Sequence, residues 1–206
     1  MPASPAPPHA LAAQFFLLRH GQSEANVQGL IASSPAEAYE GYGLTDLGRA
    51  QVRASVRGEV EAGRLTYACH LVSSALLRAR QSADEAAAVL GTSIRVDARL
   101  DERGFGELEL TSDTQYARVW AEDRMNSAHA RWGVESVESI LRRVTELVRS
   151  LAASDPAGRF LLCTHGDVAS VLLCTTGGHA LTDHRDVGAL GNAEVRPFDA
   201  RNLLAR

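Results

Sequence analysis

Two short apolar runs in this chain end in the dipeptide His-Gly. The run Phe15 to Leu18 continues into Arg19-His20-Gly21, and the run Phe160 to Cys163 continues into Thr164-His165-Gly166. Uninterrupted apolar runs of this length are typical of strands that are buried on both faces of a parallel sheet. Because ligands bind at the carboxyl ends of such strands, we expect both histidines to lie at one ligand-binding edge.

Predicted helices alternate with predicted strands along the rest of the chain. The pattern predicts helices near residues 45–63, 75–90, 134–154 and 167–176. Further short strands are predicted near residues 68–72, 93–96 and 193–198, the last of them at a sheet edge. This alternation indicates an α/β fold, a three-layer α/β/α sandwich with a mostly parallel central sheet. Residues 107–133 show no clear pattern but hold Tyr116, Trp120 and Trp132, so we expect this segment to pack on the domain.

The length of 206 residues fits one large domain better than two. Residues 1–14 hold four prolines and no lysine or arginine, a composition that lacks the charged start and apolar core of a signal peptide. We predict a disordered tail over residues 1–14, followed by a single domain over residues 15–206.

Composition excludes several classes of function. The net charge of −4 argues against non-specific nucleic-acid binding, and no apolar segment approaches the length that spans a membrane. The three cysteines, an odd number with apolar neighbours, are expected to be buried free thiols in a reducing compartment, which predicts a cytoplasmic location. No Cys/His spacing resembles a zinc site, so neither a metal nor another cofactor is predicted.

A second arginine is expected beside the two histidines. Arg78 follows the predicted strand near residues 68–72, in the first turn of the next helix. A cation in a first turn opposes the helix dipole, which favours a functional reason for Arg78 over a solvated side chain. Since guanidinium groups and helix N-termini both bind phosphate oxygens, Arg19 and Arg78 indicate an anionic group at this edge.

These residues stand in an order that resembles the histidine phosphatase superfamily, the phosphoglycerate-mutase-like proteins. Arg19-His20-Gly21, with Ser23 and Asn26 after it, is similar to the signature of that family. Further elements similar to the family pattern follow over nearly the whole chain: Leu44 to Gly48, Ser74 to Ala79, Leu100 to Gly106, Gly133 to Ser136, Thr164 to Gly166, and Gly191 to Ala193.

The resemblance implies a role for each matched residue. His20 would be the nucleophile that becomes phosphorylated, and Glu102 would transfer the proton. Arg19, Arg78 and His165 would hold the phosphoryl oxygens, with Ser23, Asn26 and Gly166 lining the phosphate pocket. A neutral imidazole is a competent nucleophile near pH 7, and phosphoryl transfer depends mainly on positioned positive charge.

Three functions are compatible with these residues, in the following order. The first is a metal-independent phosphomonoesterase that hydrolyses a small phosphate ester through a phosphohistidine. The second is a phosphoglycerate-type mutase. The resemblance implies that mutases of the family carry a longer basic insertion after the Glu102 element, with neighbouring arginines that hold a bisphosphate. Here the corresponding stretch from Glu107 to Trp132 is short and its arginines are scattered, so the mutase is less favoured. The third is an inactive phosphate-binding module, which would be expected to lose His20, Glu102 or His165. The sequence fixes neither the substrate nor the oligomeric state, and we expect specificity to lie in residues 107–133.

Overall fold

A five-stranded sheet forms the centre of the computed structural model, which describes residues 13–204. The strands are β1 (Gln14–Arg19), β2 (His70–Ser73), β3 (Ile94–Val96), β4 (Arg159–Thr164) and β5 (Val195–Phe198). Their order across the sheet is β3-β2-β4-β1-β5, and every neighbouring pair is parallel except β1 with β5. The predicted mostly parallel sheet, with the last strand at an edge, is therefore confirmed.

Eight helices are present in the described part of the chain, and the long ones lie where the sequence predicts them. They are α1 (Glu24–Gln28), α2 (Pro35–Ala38), α3 (Asp46–Glu61), α4 (Leu77–Leu90), α5 (Tyr116–Met125), α6 (Val137–Ser154), α7 (Gly166–Thr176) and α8 (Arg201–Leu204). The Thr45 side chain accepts the Gly48 N–H at the start of α3, as expected of an N-cap. Helix α4 ends at Gly91, whose positive φ of 63° is readily adopted by glycine.

The side chains of β1 alternate between two apolar layers. Phe15 and Leu17 pack with α6 and α7, whereas Phe16 and Leu18 pack with α3 and α4. Burial of each such side chain stabilises the folded state by roughly 1.5–3 kcal/mol relative to leaving it exposed. Helices thus cover both faces of the sheet, and the predicted three-layer sandwich is confirmed. Cys163 lies in the α3/α4 layer, as a core residue.

Residues 107–133 pack beside the carboxyl edge of the sheet, as the aromatic content of the segment predicts. They contain α5 and three 3₁₀ turns, and Val119 and Leu108 join a separate apolar cluster with Phe105, Ile31 and Val134. The Phe105 ring meets Tyr116 edge to face, and Tyr116 in turn stacks on Trp120. The segment is therefore a folded wall over the edge that carries the two histidines.

Residues 1–12 of the predicted tail lie outside the described residues. The prediction that the tail extends to residue 14 is wrong. Gln14 is the first residue of β1, where it pairs with Arg159. Its backbone N–H donates to the Gly158 carbonyl at 2.9 Å, so the ladder extends further than the apolar run that predicted it.

All three cysteines are buried and unpaired, as predicted. Within residues 13–204, no helix is long and apolar enough to cross a membrane. The same residues contain no group of three or more His, Cys, Asp and Glu side chains that could hold a metal ion.

Candidate active site

His20 lies immediately beyond β1 and is only 3% exposed. Its backbone N–H donates to Thr164 O of β4 at 3.0 Å, which fixes the chain at the sheet edge. The Arg78 Nε–H can only donate, and it lies 3.1 Å from His20 Nε2, so Nε2 must accept. The proton of the neutral ring is then on Nδ1, which lies 2.7 Å from Gly21 O. His20 consequently presents the lone pair of Nε2 toward Arg78.

The pKa of His20 is held well below its usual value. Burial is the largest cause, followed by the charges of Arg78 and Arg19. Each of these effects disfavours a cationic ring. The ring is therefore in its neutral, nucleophilic form at neutral pH.

Gly21 permits a close approach of two backbones at this point. A Cβ on Gly21 would lie 2.3 Å from the carbonyl oxygen of Gly48 in α3. Such a distance leaves no space for any side chain. The close contact of this glycine is therefore with α3.

Arg78 and Arg19 converge on His20 from two elements. Arg78 is the second residue of α4 and is 5% exposed, and its Nη1 donates to Ala32 O at 2.8 Å. Arg19 Nη1 donates to Leu190 O at 2.6 Å. Arg19 Nε is buried and has no hydrogen-bond partner among the described residues. An unpaired buried N–H is costly, so this donor is suited to an incoming oxyanion.

His165 lies behind His20 at the end of β4 and is fully buried. The centroids of the two imidazole rings are 5.1 Å apart. His165 Nε2 is 2.8 Å from the Ser74 hydroxyl, and its Nδ1 has no partner within the described residues. Burial, then the charges of Arg78 and His20, hold the pKa of His165 well below its usual value. The two His-Gly motifs are thus brought together as predicted.

Glu102 closes the site from the loop after β3. Its Oε1 accepts the Arg103 N–H at 2.9 Å, and its Oε2 accepts the Asp167 N–H at 3.4 Å. Burial raises the pKa of Glu102, and the charge of Asp167 raises it further. The side chain of Arg103 points away, toward Asp123, so it does not oppose this shift. Glu102 is therefore poised to hold a proton.

Ser23, Asn26 and Gly166 line the same cavity, as the resemblance implies. The Ser23 side chain accepts the Asn26 N–H and caps α1, and its own backbone N–H donates to Asn26 Oδ1. Asn192 Nδ2 also donates to Asn26 Oδ1 at 3.2 Å. The oxygen of Asn26 is thus occupied, which leaves its Nδ2 donors for a ligand. A Cβ on Gly166 would meet Arg19 Cζ at 3.7 Å, an ordinary van der Waals contact, so space alone does not require glycine there.

Arg19, His20, Arg78 and Glu102 line a cavity of about 260 Å³ together with Ser23, Asn26 and Gly166, whereas the fully buried His165 is not part of its lining. The cavity also has an outer wall. Trp120 forms part of that wall, with Tyr116 stacked on it at 5.4 Å and Arg185 Cζ 3.8 Å from its ring centroid. Arg185 Nη1 donates to Asp167 Oδ1 at 3.1 Å. The sequence prediction missed Arg185, because it lies in a loop and matches no motif. Its sequence neighbours, His184 and Asp186, are polar, so no local signal distinguishes it from a surface arginine.

A second group of polar residues was also missed. Asp123 is fully buried and accepts two hydrogen bonds from Arg103, at 2.7 and 2.9 Å. It also accepts from His129 Nε2 at 2.8 Å and from His184 Nε2 at 3.2 Å. Burial alone would raise the pKa of Asp123, but hydrogen bonds from His184 and Arg103 hold it well below its usual value. The cluster joins α5 to the loop that carries Glu102.

The geometry as a whole suits the transfer of a phosphoryl group. The neutral imidazole of His20 lines the cavity together with the guanidinium groups of Arg19 and Arg78, and the carboxyl group of Glu102, whose pKa is raised by burial, lines it too. At about 4 Å and an effective dielectric constant near 20, each cation stabilises a unit negative charge by roughly 4 kcal/mol before desolvation. Such a site can bind a phosphate dianion, attack its phosphorus and protonate a leaving oxygen.

Comparison with known proteins agrees with this geometry. A sequence model of the histidine phosphatase superfamily (branch 1) matches residues 15–202. The chain is 29% identical over 197 residues to the glucosyl-3-phosphoglycerate phosphatase of Mycobacterium tuberculosis, covering 88% of this chain and 83% of the relative. It is 28% identical over 173 residues to a probable phosphoglycerate mutase of Salmonella paratyphi C, covering 80% of this chain and 75% of the relative.

Solved structures include relatives of the same shape. The structure of the mycobacterial glucosyl-3-phosphoglycerate phosphatase complexed with VO3 superimposes with a TM-score of 0.75 and 27% identity. The superposition covers 90% of this chain and 92% of that one.

Proposed function

Because this chain belongs to the histidine phosphatase superfamily, we propose that it hydrolyses a small phosphate monoester through a phosphohistidine on His20. The observation that carries the proposal is the neutral His20 ring, whose Nε2 lone pair accepts from Arg78 in a cavity that Arg19 and Arg78 also line. The name of the mycobacterial relative, a glucosyl-3-phosphoglycerate phosphatase, supports a phosphate ester of a small organic molecule as substrate.

The reaction proceeds in two displacements at phosphorus. In the first, His20 Nε2 attacks the phosphorus, the ester P–O bond breaks, and Glu102 gives its proton to the departing alkoxide. As the substrate enters, the hydrogen bond that Arg78 Nε–H donates to His20 Nε2 is exchanged for one to a phosphoryl oxygen. The Arg19 Nε–H donates to a second phosphoryl oxygen. The products of this step are the free alcohol and phosphorylated His20.

In the second displacement, water attacks the phosphorus while the Glu102 carboxylate takes one of its protons. The P–N bond breaks, its electron pair returns to His20 Nε2, and inorganic phosphate leaves. Glu102 is protonated again, so the enzyme is restored with its proton balance closed.

The proposed reaction needs no divalent metal, because guanidinium groups supply the positive charge that a metal would otherwise provide. A transferase of the mutase type is the second candidate, and the contacts of the arginines in residues 107–133 disfavour it. Arg118 lies over Trp132 at 4.0 Å, Arg131 pairs with Glu122, and Arg124 pairs with Asp186. None of these three arginines lines the cavity to hold a second phosphate group.

We also propose a cytoplasmic location. Cys69, Cys163 and Cys174 are buried and unpaired, and this usage of cysteine is typical of proteins in a reducing compartment.

The test of the proposal is phosphate release from p-nitrophenyl phosphate and from a panel of small phosphate esters. The wild-type protein should turn over at least one of them, with activity that survives dialysis against a strong chelator. His20→Ala should abolish both turnover and an acid-labile phosphoenzyme, since no other group replaces the nucleophile. Wild-type activity in His20→Ala, or activity that returns only with added Mg²⁺ or Zn²⁺, would refute it.

A further inference from the structure

Asp101 reaches the active site through one intermediate hydroxyl group. Its Oδ1 accepts the Ser74 hydroxyl proton at 2.7 Å, and Ser74 Oγ is in turn 2.8 Å from His165 Nε2. The same Oδ1 accepts the Ala75 N–H at 2.7 Å, while Oδ2 accepts the hydroxyl of Tyr39 at 2.9 Å. A continuous hydrogen-bonded path therefore links Asp101 to the buried imidazole.

The hydrogen-bonding capacity of Ser74 decides the direction of this path. A hydroxyl group has one proton to donate and two lone pairs that accept. The proton is given to the Asp101 carboxylate, and one lone pair accepts the Leu76 N–H at 3.1 Å. The remaining lone pair meets His165 Nε2, which must therefore carry a hydrogen. The resting neutral ring has its lone pair on Nδ1.

Nδ1 is the atom that the structure leaves without a partner. It is buried, and none of the described residues forms a hydrogen bond with it. The ring it belongs to lies 5.1 Å from the ring of His20, where a phosphoryl group would be attached. A lone pair would repel a phosphoryl oxygen, so His165 can contact that oxygen only after Nδ1 has gained a proton.

A protonated His165 needs a negative charge to stabilise it. The charged or titratable groups near it are Arg19 at the end of β1, His20 just beyond β1, Arg78 of α4, Arg143 of α6, and Asp101 and Glu102 of the loop after β3. The three arginines oppose a cationic ring, and burial, which raises the pKa of Glu102, disfavours a negative charge on that group. Among these groups, Asp101 is the carboxylate hydrogen-bonded to His165 through Ser74.

We infer that Asp101 is a positioning residue that acts through Ser74. It fixes the Nε2–H tautomer of His165 and stabilises the imidazolium that donates from Nδ1 to a phosphoryl oxygen. The proton arrives with the substrate, because a phosphate monoester carries one proton on its oxygens below a pKa of about 6 and can transfer it to Nδ1. This inference rests on the proposed phosphatase reaction and adds a residue that the family resemblance does not assign.

The test is the pH dependence of kcat for p-nitrophenyl phosphate between pH 5 and 9. The p-nitrophenolate leaving group needs no acid, and Glu102 acts as a base in the second step, so the alkaline limb reports the His165 proton. In Asp101→Asn this limb should move to lower pH by about one unit or more, as expected for the loss of a unit charge within roughly 6 Å. The loss relative to wild type should therefore grow from a few-fold at pH 5 to at least about tenfold above the limb.

Two further variants separate this role from a structural one. Asp97→Asn makes the same chemical change in the same loop without a path to His165, and it should leave the limb in place. Ser74→Ala should also move the limb, and adding Asp101→Asn to it should move the limb by less than Asp101→Asn does alone, because only the hydrogen-bonded part of the effect passes through Ser74.

Each result decides the inference. A limb that is unmoved in Asp101→Asn, or a loss that is equal at every pH, overturns it, and additive shifts in the double variant overturn the path through Ser74. If the wild type is inactive, or His20→Ala retains activity, the phosphatase proposal itself fails. Activity that depends on His20 together with an unmoved limb refutes only the role of Asp101.

Discussion

Substitution of Glu102 by glutamine tests whether this residue supplies the proton to the leaving group. Glutamine keeps the shape and one acceptor oxygen, but it cannot release a proton to an alkoxide. The raised pKa of Glu102, caused by burial and then by Asp167, favours the protonated form that a general acid needs. General acid assistance contributes about 10²- to 10⁴-fold, or roughly 3–5 kcal/mol, to departure of a poor leaving group.

The second consequence of the substitution is a mismatch at two backbone donors. Both carboxylate oxygens of Glu102 accept N–H groups, from Arg103 and from Asp167. The glutamine NH₂ must face one of these donors, at a cost of about 1–3 kcal/mol that is independent of the substrate. A comparison of two substrates in the same variant cancels this cost and isolates the acid role.

The assay measures burst and steady-state rates on an alkyl phosphate and on p-nitrophenyl phosphate. In Glu102→Gln the burst on the alkyl phosphate should slow by at least about 10²-fold more than the burst on p-nitrophenyl phosphate. Dephosphorylation should slow equally for both, because the same residue activates water. Glu107→Gln, an exposed glutamate outside the cavity, is the matched control and should change neither rate. Equal losses of burst rate on the two substrates would refute the assignment of Glu102 as the acid.

Three other perturbations have expected outcomes. Arg78→Ala should lower kcat/KM by about 10²- to 10⁴-fold and weaken inhibition by inorganic phosphate, and a loss below tenfold would contradict its contact with the transferred group. Arg185→Met should raise KM for substrates with a large organic part while leaving inhibition by inorganic phosphate unchanged, because Arg185 lies on the outer wall. Equal weakening of substrate binding and of phosphate inhibition would instead place Arg185 at the phosphate group. Asp123→Asn should destabilise the fold by about 3–5 kcal/mol at pH 7 in urea denaturation, because it removes the charge that accepts two hydrogen bonds from buried Arg103 and leaves only the longer ion pair with Asp167 at 3.5 Å. The depressed pKa of Asp123 stabilises the fold above its unfolded value of about 3.9 and this contribution is lost as pH falls further, so the two proteins should converge in stability in strong acid; a constant difference at all pH values would contradict this reasoning.

The sequence by itself determined the layers of the fold and the residues of the inner site. Continuous apolar runs can be buried only in a sheet covered on both faces, and this local signal located β1 and β4 within one or two residues. The parallel arrangement then brought His20 and His165 to one edge without any knowledge of their contacts. The place of Arg78 in the first turn of a helix was also informative, because a cation there conflicts with the helix dipole and therefore indicates a role outside the helix.

Tertiary structure alone decided which of the buried polar side chains are hydrogen-bonded to one another. Arg103 and Asp123 are 20 positions apart, His184 joins them from 61 positions beyond Asp123, and no periodic pattern relates the three. The tautomer of His165 depends on a hydroxyl group 91 positions away. Local sequence patterns encode which face of an element is buried, because burial depends on spacing along a helix or strand. Hydrogen bonds between distant side chains depend on loop paths and rotamers that are settled only when the whole domain packs, so they became visible only in three dimensions.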